Sequence, residues 1–321
     1  MLKIMETYTK INTLYKRFQH LNSKDCPDIP NENWRKMANR IIKGDFSDPE
    51  IEYLYNCPFD GYVKIDGTNS KIAFYPSTGE VHVGGKTDKA SSQHGQFEFL
   101  LNIAYKIQPA LKEMFPPESA KYAIVKNDKN QVKFVNSMVD TTEIVPTMEG
   151  VYNVQLEEVP IYIYGEYFGA GIQKGGADYV ADKKSNRFAV FDVEQQGWWL
   201  PNDKREDFLN KIKELSGFEF ETAPYFGRGT IAEFEKAVTK GFKTYVKNVS
   251  NPDKIEEGIV ARPVVPLKSS RGNRIIVKIK FHDYNDFVEG VKSIGGEEEY
   301  QKFLDWYRTW EAKFPELFGA K

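Results

Sequence analysis

The strongest constraint on the fold of this chain is a hairpin pattern that begins at residue 71. Residues 71–75 and 81–83 are strand-like segments, and the turn sequence Pro76-Ser77-Thr78-Gly79 joins them. Two such segments linked by so short a turn predict an antiparallel pair. The stretch just before them, 62–69, is rich in Tyr, Val and Ile and ends in Gly-Thr-Asn, which predicts a strand followed by a turn.

The alternation of short strand-like segments with turns continues along the chain. Further strands are predicted at 41–46, 161–164, 187–193, 256–263 and 275–280, and a second hairpin about residues 127–130. Helices are predicted at 33–41, 95–115 and 204–216, and after Thr230, whose spacing to Glu233 makes a capping box. This pattern predicts an α/β fold of the α+β type, with largely antiparallel sheets and flanking helices.

Composition favours a soluble protein of enzyme size. The 321 residues are enough to bury a sizeable core and form a cleft. No apolar run is long enough to span a bilayer, and the first residues lack the pattern of a secretory signal. Cys26 and Cys57 have neither metal-ligand nor redox spacing. We therefore expect a cytoplasmic monomer with free thiols and no membrane partner.

The order of the predicted elements suggests one main domain with a small extension. Residues 1–59 are a mixed lead-in that carries no motif, and 282–321 are predicted to form two helices broken at Gly295-Gly296. We expect the main domain to span 1–281 and the helical extension to span 282–321.

The charge of the chain limits how it could bind nucleic acid. A net charge of -2 excludes attraction of a polyanion by the molecule as a whole, so any such site must be local. Basic residues gather at Lys174, at 183–187 and at 268–274. Each cluster alone is more typical of a solvated loop than of a binding site.

Polar residues of a particular kind recur on or beside the predicted strands. In chain order the segments are Lys64-x-Asp66-Gly67, Gly165-Glu166, Phe191-Asp192, Glu257-Gly258 and Lys278-x-Lys280. Taken singly, each is as typical of a surface lysine or a structural acid as of a catalytic group. Lys278 and Lys280 are expected on the same face of their strand, where two like charges call for an anion.

Taken together, the five segments resemble the motifs of the covalent nucleotidyltransferases, the superfamily of ATP-dependent DNA and RNA ligases and mRNA capping enzymes. The resemblance covers about residues 60 to 281, and the motifs occur in the family's order. The flanking sequences are most similar to phage-type RNA ligases of the nick-sealing branch, through 64–69, 84–88 and 165–175. The resemblance implies an ATP-grasp-like nucleotidyltransferase domain.

The resemblance also implies an RNA ligase that acts in three steps with ATP and Mg²⁺ or Mn²⁺. Lys64 attacks the α-phosphate of ATP to form lysyl-AMP, the AMP moves to a 5′-phosphate end, and a 3′-OH then displaces it. Lys278 and Lys280 would favour the neutral amine of Lys64 and offset charge on the phosphates. The implied role is RNA repair, in the host cytoplasm if a phage encodes the chain.

The same resemblance assigns roles to the other residues. Glu257 and Asp192 would hold the metal ion, since carboxylate oxygens suit Mg²⁺ and Mn²⁺. Glu166 would accept hydrogen bonds from the ribose, and Phe191 would stack on adenine. The remaining residues implied to contact the nucleotide, or the nucleic-acid end, are Asp66, Gly67, Asn69 and Lys86.

Two departures from the family pattern bear on these roles. RNA ligases of this branch usually carry glutamate before the lysine, where this chain has Val63, and arginine where it has Lys86. A lysine cannot form the bidentate clamp of a guanidinium group. Phe188 is a second candidate for the stacking ring, while His94 and His282 have no partners at catalytic or metal spacing.

Other functions remain open at this point. A DNA ligase or an mRNA capping enzyme normally carries an OB-fold after the last motif, and the helices predicted after Lys280 cannot form that barrel. A catalytically silent RNA-binding module is the alternative outside the enzymes. The RNA substrate could be a nicked duplex, a single strand or an RNA/DNA hybrid.

Overall fold

The computed structural model describes residues 8, 10–22, 26, 29–86, 97–126, 131–134, 154–270 and 272–318, with the backbone alone at 123–126, 131–134 and 154–157. Its strands are β1 (Asn12–Thr13), β2 (Tyr15–Arg17), β3 (Ile41–Phe46), β4 (Phe59–Val63), β5 (Thr68–Tyr75), β6 (Glu80–Gly85), β7 (Lys121–Lys126), β8 (Gln131–Phe134), β9 (Val154–Val159), β10 (Ile161–Phe168), β11 (Arg187–Gln195), β12 (Trp198–Trp199), β13 (Glu221–Thr222), β14 (Tyr225–Gly229), β15 (Gly258–Pro263) and β16 (Val277–Lys280).

Helices flank these strands, as the sequence predicts. They are α1 (Pro49–Leu54), α2 (Glu98–Met114), α3 (Gly176–Tyr179), α4 (Asn202–Ser216), α5 (Ile231–Lys240), α6 (Phe281–Ile294) and α7 (Glu297–Lys313). Short 3-10 helices occupy Glu32–Met37, Pro117–Ser119, Lys183–Ser185 and Pro315–Phe318. Among the described helices none could cross a membrane.

The chain forms two compact units, each assembled from separate stretches. Unit 1 comprises Met1–Tyr8, Ile65–Ala223 and Val246–Pro252, and unit 2 comprises Thr9–Lys64, Pro224–Tyr245 and Asp253–Lys321. These units do not follow the boundary expected at 281/282, because residues 282–318 share a core with the lead-in.

Unit 1 is built on a mixed sheet in the order β12-β11-β10-β5-β6, with β13 parallel to β11. One face packs against α2 and α4, through residues such as Ile72, Ile163 and Val190. Because side chains alternate along a strand, Tyr162 and Tyr164 lie on the opposite face. A small sheet in the order β8-β7-β9 adds the second predicted hairpin, whose turn at 127–130 lies outside the described residues.

Unit 2 is built on a sheet in the order β1-β16-β15-β4-β14. Neighbouring strands in this sheet run antiparallel, except that β1 and β16 run parallel. Phe59 on β4, Ile259 on β15 and Ile279 on β16 join the core beneath α5. The capping box predicted at the start of α5 is present, since Thr230 and Glu233 exchange hydrogen bonds.

A second core in unit 2 joins the lead-in to the C-terminal helices. The helix break predicted at Gly295-Gly296 separates α6 from α7, and the aromatic face of α7 packs Phe303 and Tyr307 against Phe18. The predicted helix at 33–41 is wrong in extent: only a 3-10 helix at Glu32–Met37 forms. The backbone turns at Asn39, where φ is 63°, and β3 begins two residues later.

Candidate active site

Lys64, Glu257 and Lys280 meet at one end of the unit 2 sheet. Lys64 directly follows β4, Glu257 directly precedes β15, and Lys280 ends β16. The Lys64 Nζ donates a short hydrogen bond to Glu257 Oε2, and the Lys280 Nζ lies 2.6 Å from Glu257 Oε1. The backbone N–H of Lys64 also donates to the Gly258 carbonyl at 2.9 Å. One carboxylate is thus held between two ammonium groups that adjacent strands fix in place.

The surroundings of Glu257 keep it ionised. Its side chain is only 14% exposed, and burial acts to raise its pKa. The positive charges of Lys64 and Lys280, with their hydrogen bonds, outweigh burial and hold the pKa of Glu257 below its ordinary value of 4.5. At neutral pH the group is therefore a carboxylate and a weak base.

The backbone conformation and close packing at position 258 explain why glycine follows Glu257. The φ of Gly258 is 152°, a conformation that side chains disfavour, and a Cβ there would lie 1.9 Å from the Ile279 carbonyl oxygen. Only glycine allows β15 to approach β16 so closely at the point where Glu257 meets Lys280.

Lys278 lies on the same side of β16 as Lys280, as predicted. Val277 and Ile279 are buried in the unit 2 core, whereas both lysines are half-exposed. Lys278 is paired with Thr13 on β1 and with Val260 on β15. The strand therefore presents two cations on one face, with Glu257 beside the second.

Asn69, Glu166 and Lys86 gather at one end of the unit 1 sheet. Asn69 on β5 is the cross-strand partner of Glu166 on β10. On the other side of β5, Ser70 pairs with Gly85 of β6, which runs antiparallel. The next residue after β6 is exposed Lys86, which therefore lies at the end of β5 that carries Asn69. The buried Asn69 Oδ1 makes no hydrogen bond to the described residues, which leaves this oxygen available to accept from a donor on a ligand. The neighbouring Thr87 and Asp88 lie outside the described residues.

Asp66 and Gly67 form the turn that enters β5, and this turn crosses β10 at close range. A Cβ on Gly67 would lie 2.5 Å from the Tyr167 carbonyl oxygen and 2.9 Å from Glu166 Cγ. The Asp66 N–H donates to the Tyr179 hydroxyl at 3.3 Å. The glycine of the Lys64-x-Asp66-Gly67 segment is therefore needed for contact with the strand that carries Glu166.

Phe191 is the extra residue of a β-bulge in β11. Tyr164 pairs with Asp192 and Gly165 with Val190, so Phe191 is skipped. Buried Arg205 on α4 donates to the Phe191 carbonyl at 2.8 Å. Phe188 is buried among the core residues that face α2 and α4, whereas Phe191 is half-exposed on the opposite side. Of the two candidate rings, Phe191 is the accessible one.

Asp192, which the resemblance implies as a metal ligand, is buried beside a tyrosine. It is 0% exposed, and the Tyr8 hydroxyl donates to its Oδ2 at 2.6 Å. The Tyr8 ring also contacts Phe191 and Trp199, with centroids 5.2 and 5.5 Å away. Because of the bulge, two consecutive residues contact the same tyrosine. No sequence signal marks Tyr8, since it lies in the lead-in outside every motif.

The described residues contain no cluster of three or more acidic, histidine or cysteine side chains of the kind that encloses a metal ion. Glu257 is instead a single ionised carboxylate. Mg²⁺ is often bound by one or two carboxylates, with waters and substrate phosphates completing its shell. The donor set at Glu257 fits a metal ion that arrives with a phosphate ligand.

Comparison with known proteins identifies the family. The sequence profile of the RNA ligase family matches residues 61–280, and the chain belongs to this family. This match confirms the resemblance predicted from the five segments. Comparison with curated proteins gave no match.

Solved structures similar to this chain include forms of the Naegleria gruberi RNA ligase. A substituted apo form is 14% identical over 74% of this chain and 54% of that chain, with a TM-score of 0.42. A substituted form with ATP and Mn is 14% identical over 74% of this chain and 55% of that chain, with a TM-score of 0.42. The ligase with PPi is 15% identical over 76% of this chain and 54% of that chain, with a TM-score of 0.41. The chain spans about half the length of these ligases.

Proposed function

We propose that this chain is an ATP-dependent RNA ligase that joins 3′-OH and 5′-phosphate ends, with Lys64 as its nucleophile. The observation that carries the proposal is Glu257 held between Lys64 and Lys280. A binding module needs cations for phosphate, but it has no need of a lysine paired with an ionised carboxylate beside two further lysines.

In the first step the Lys64 amine attacks the α-phosphorus of ATP. A phosphorus–nitrogen bond forms, the bond to pyrophosphate breaks, and the amine loses a proton. An ammonium group hydrogen-bonded to Glu257 has no lone pair, so Lys64 must leave this ion pair and release one proton to solvent before attack. The second proton passes to solvent when the phosphorus–nitrogen bond forms. Lys278 and Lys280 offset the charge that develops on the phosphates.

Glu257 is the residue that would hold the divalent metal ion. When bound, the ion supplies positive charge that stabilises the phosphates. Because the pKa of Glu257 is lowered, its role is that of an anionic ligand and partner of lysine rather than of a general base. Buried Asp192 is better suited to holding Tyr8 and the bulge at Phe191.

The unit 1 residues would bind the nucleotide. Glu166 accepts hydrogen bonds from the ribose hydroxyls, and half-exposed Phe191 stacks on adenine. Exposed Lys86 contacts phosphate, and Asn69 does so through its side-chain Nδ2, which is the donor of this amide. Asp66 and Gly67 hold the turn between the nucleophile and β5 against β10.

The second and third steps transfer and then release AMP. An oxygen of the RNA 5′-phosphate attacks the AMP phosphorus and displaces the Lys64 amine. The 3′-OH of the other end then attacks the 5′-phosphate, forms the phosphodiester and releases AMP. Lys280 shares Glu257 with Lys64, Lys278 lies on the same face of β16, and both can offset phosphate charge in each step.

Incubation with α-labelled ATP and Mg²⁺ or Mn²⁺, followed by denaturing electrophoresis, tests the proposal. A labelled band is expected for the wild type and for Lys236→Ala, which removes an exposed lysine of α5. Lys64→Ala should give none. A label that survives in Lys64→Ala would refute the assignment of the nucleophile. No label in the wild type would refute the ligase proposal and favour a silent RNA-binding module.

Two further measurements define the reaction. Competition by unlabelled ATP and GTP tests the choice of nucleotide, and we expect ATP to compete. Sealing of nicked, single-stranded and RNA/DNA hybrid substrates, each in RNA and DNA form, tests the choice of end. A preference for all-DNA nicks would favour the DNA ligase alternative.

A further inference from the structure

A groove in unit 2 adjoins the Lys64 cluster and shares Lys278 and Lys280 with it, whereas its other lining residues have no role in the three proposed steps. Its volume is about 580 Å³, within the range of about 300–1,000 Å³ typical of ligand sites. The charged residues along it are Lys10, Lys16, Arg17, Lys278, Lys280 and Glu311. Five cations thus face one carboxylate in a chain whose net charge is -2.

The lead-in supplies most of the residues that line this groove, and the pairing of β1 holds them in place. Asn12 and Thr13 run parallel to β16, opposite Val277 and Lys278, and the Leu14 N–H donates to the Lys278 carbonyl at 3.1 Å. Lys10 and Lys16, on either side of this pairing, are therefore fixed next to the strand that carries the two candidate catalytic lysines. Helix α7 also lines the groove, through Tyr307 and Glu311.

The cations of the groove differ in how far protein carboxylates already neutralise them. Arg17 lies 2.6 Å from Asp283 and donates to the Asn39 carbonyl, and Lys280 is paired with Glu257. Lys10 and Lys16 are exposed and form no ion pair with any residue that the structure describes. Their charge is available to an anion that enters the groove.

The lining favours a chain of phosphates over a single compact one. Its five cations share the lining with the side chains of Asn12 and Gln19 and with the half-buried ring of Phe318. A positive groove that follows the backbone, with rings and amides between the charges, is typical of sites for single-stranded nucleic acid. A pyrophosphate would fill only part of such a volume.

On the basis of the proposed function, we propose that this groove binds the sugar-phosphate backbone of the RNA next to the end being joined. Lys10 and Lys16 neutralise backbone phosphates, while Lys280, which shares Glu257 with Lys64, connects the groove to the nucleophile. The lead-in is then a substrate-binding element of the ligase.

Binding of a 5′-phosphorylated single-stranded RNA, measured by fluorescence anisotropy at several salt concentrations, tests this role. For single strands the slope of log K against log salt is about 0.7 per phosphate contact. Lys10→Ala with Lys16→Ala should therefore reduce the slope by about 1.4 and weaken binding roughly tenfold at low salt. Sealing of pre-adenylylated RNA should slow to a similar extent.

Three variants control for the fold and for general charge. Lys236→Ala with Lys240→Ala removes two exposed lysines of α5 and should leave binding and slope unchanged. Lys10→Arg with Lys16→Arg keeps both charges and should retain wild-type binding. Glu311→Gln removes the opposing charge and should tighten binding several-fold.

Lysyl-AMP formation from ATP alone, measured in parallel, distinguishes the two sources of phosphate. Loss of lysyl-AMP in Lys10→Ala with Lys16→Ala, with RNA binding intact, would assign the groove to the triphosphate and overturn the proposal. An unchanged slope and affinity would also overturn it. Failure of the proposed function itself would show differently, as a wild type that forms no lysyl-AMP whatever its affinity for RNA.

Discussion

Glu257 accepts a hydrogen bond from Lys64 although the two residues are 193 positions apart in the chain. The contact follows from sheet register. Val63 at the end of β4 is the cross-strand partner of Ile259 near the start of β15, so the residue after one strand meets the residue before the other. Because both flanks are strands of one core, the candidate nucleophile and its counter-ion are held by the sheet rather than by a flexible loop.

Replacement of this carboxylate should abolish the first step. Glu257→Gln keeps the shape of the side chain but removes the anion between Lys64 and Lys280. We expect lysyl-AMP formation to fall by roughly 100-fold or more, because the metal ligand and the charge balance are lost together. The rate measured with labelled ATP across a metal titration checks this. A variant within about threefold of wild type would contradict the role assigned to Glu257.

The Glu257 carboxylate should also make the free energy of unfolding depend on pH in the acidic range. Since Lys64 and Lys280 hold the pKa of Glu257 below its ordinary value of 4.5, the unfolded chain takes up a proton at a higher pH than the folded one. The stabilisation is therefore present above pH 4.5 and is lost as pH falls below it. Urea unfolding from pH 7 downward should show a shallower decline for Glu257→Gln than for wild type, and an equal decline would contradict this.

Much of the fold could be predicted from local pattern. The hairpin of β5 and β6, the capping box of α5 and the break between α6 and α7 each depend on residues close together in sequence, and the structure contains all three. The assignment of 282–321 to a separate extension depended on long-range packing. Nothing in the sequence of α7 indicates that its partner would be Phe18 in the lead-in.

The candidate site shows the same limit. Alternation correctly predicts Lys278 and Lys280 on one face of a strand. It does not apply at Phe191 and Asp192, because a bulge suspends the period of two and brings both residues to Tyr8. The bulge is stabilised by Arg205 from a distant helix, so local propensity could not have revealed it.

Substitution of Asp192 should reveal a structural role. Asp192→Asn weakens the hydrogen bond from the Tyr8 hydroxyl, and we expect a loss of about 1–3 kcal/mol in the free energy of unfolding. The metal concentration at half-maximal lysyl-AMP formation should stay the same. Tyr8→Phe should produce a similar loss, and the double variant should lose less than the sum. A large increase in that metal concentration would instead support Asp192 as a metal ligand.

Two buried tyrosines of α7 should respond oppositely to loss of the hydroxyl. The Tyr300 hydroxyl forms no hydrogen bond within the described chain, whereas the Tyr307 hydroxyl accepts from the Gln19 N–H at 2.9 Å. Tyr300→Phe should raise stability by up to about 1 kcal/mol, and Tyr307→Phe should lower it by about 0.5–1 kcal/mol. Thermal unfolding of both at pH 7 checks this, and equal shifts would contradict it.

Tyr300 and Tyr307 should also affect how the free energy of unfolding changes at alkaline pH. Burial raises the pKa of Tyr300, and likewise that of Tyr307, from 10 to about 12. The folded chain therefore keeps protons that the unfolded chain releases, so stability is present below pH 10 and falls between pH 10 and about 12. Tyr300→Phe should make this fall shallower, as measured by urea unfolding across that window. An unchanged fall would show that Tyr300 does not contribute.

Gly67→Ala should impair the site more than the fold. Its Cβ would lie 2.5 Å from the Tyr167 carbonyl oxygen, so the turn would have to move away from β10 and from Glu166. We expect lysyl-AMP formation to fall at least about tenfold, because a small misplacement of reacting groups is costly. Gly217→Ala is the matched control, since Gly217 has a φ of 68° with open space around it and should cost about 1 kcal/mol of stability. If the two variants lose activity equally at equal stability, the close approach of Gly67 to β10 has no special role in catalysis.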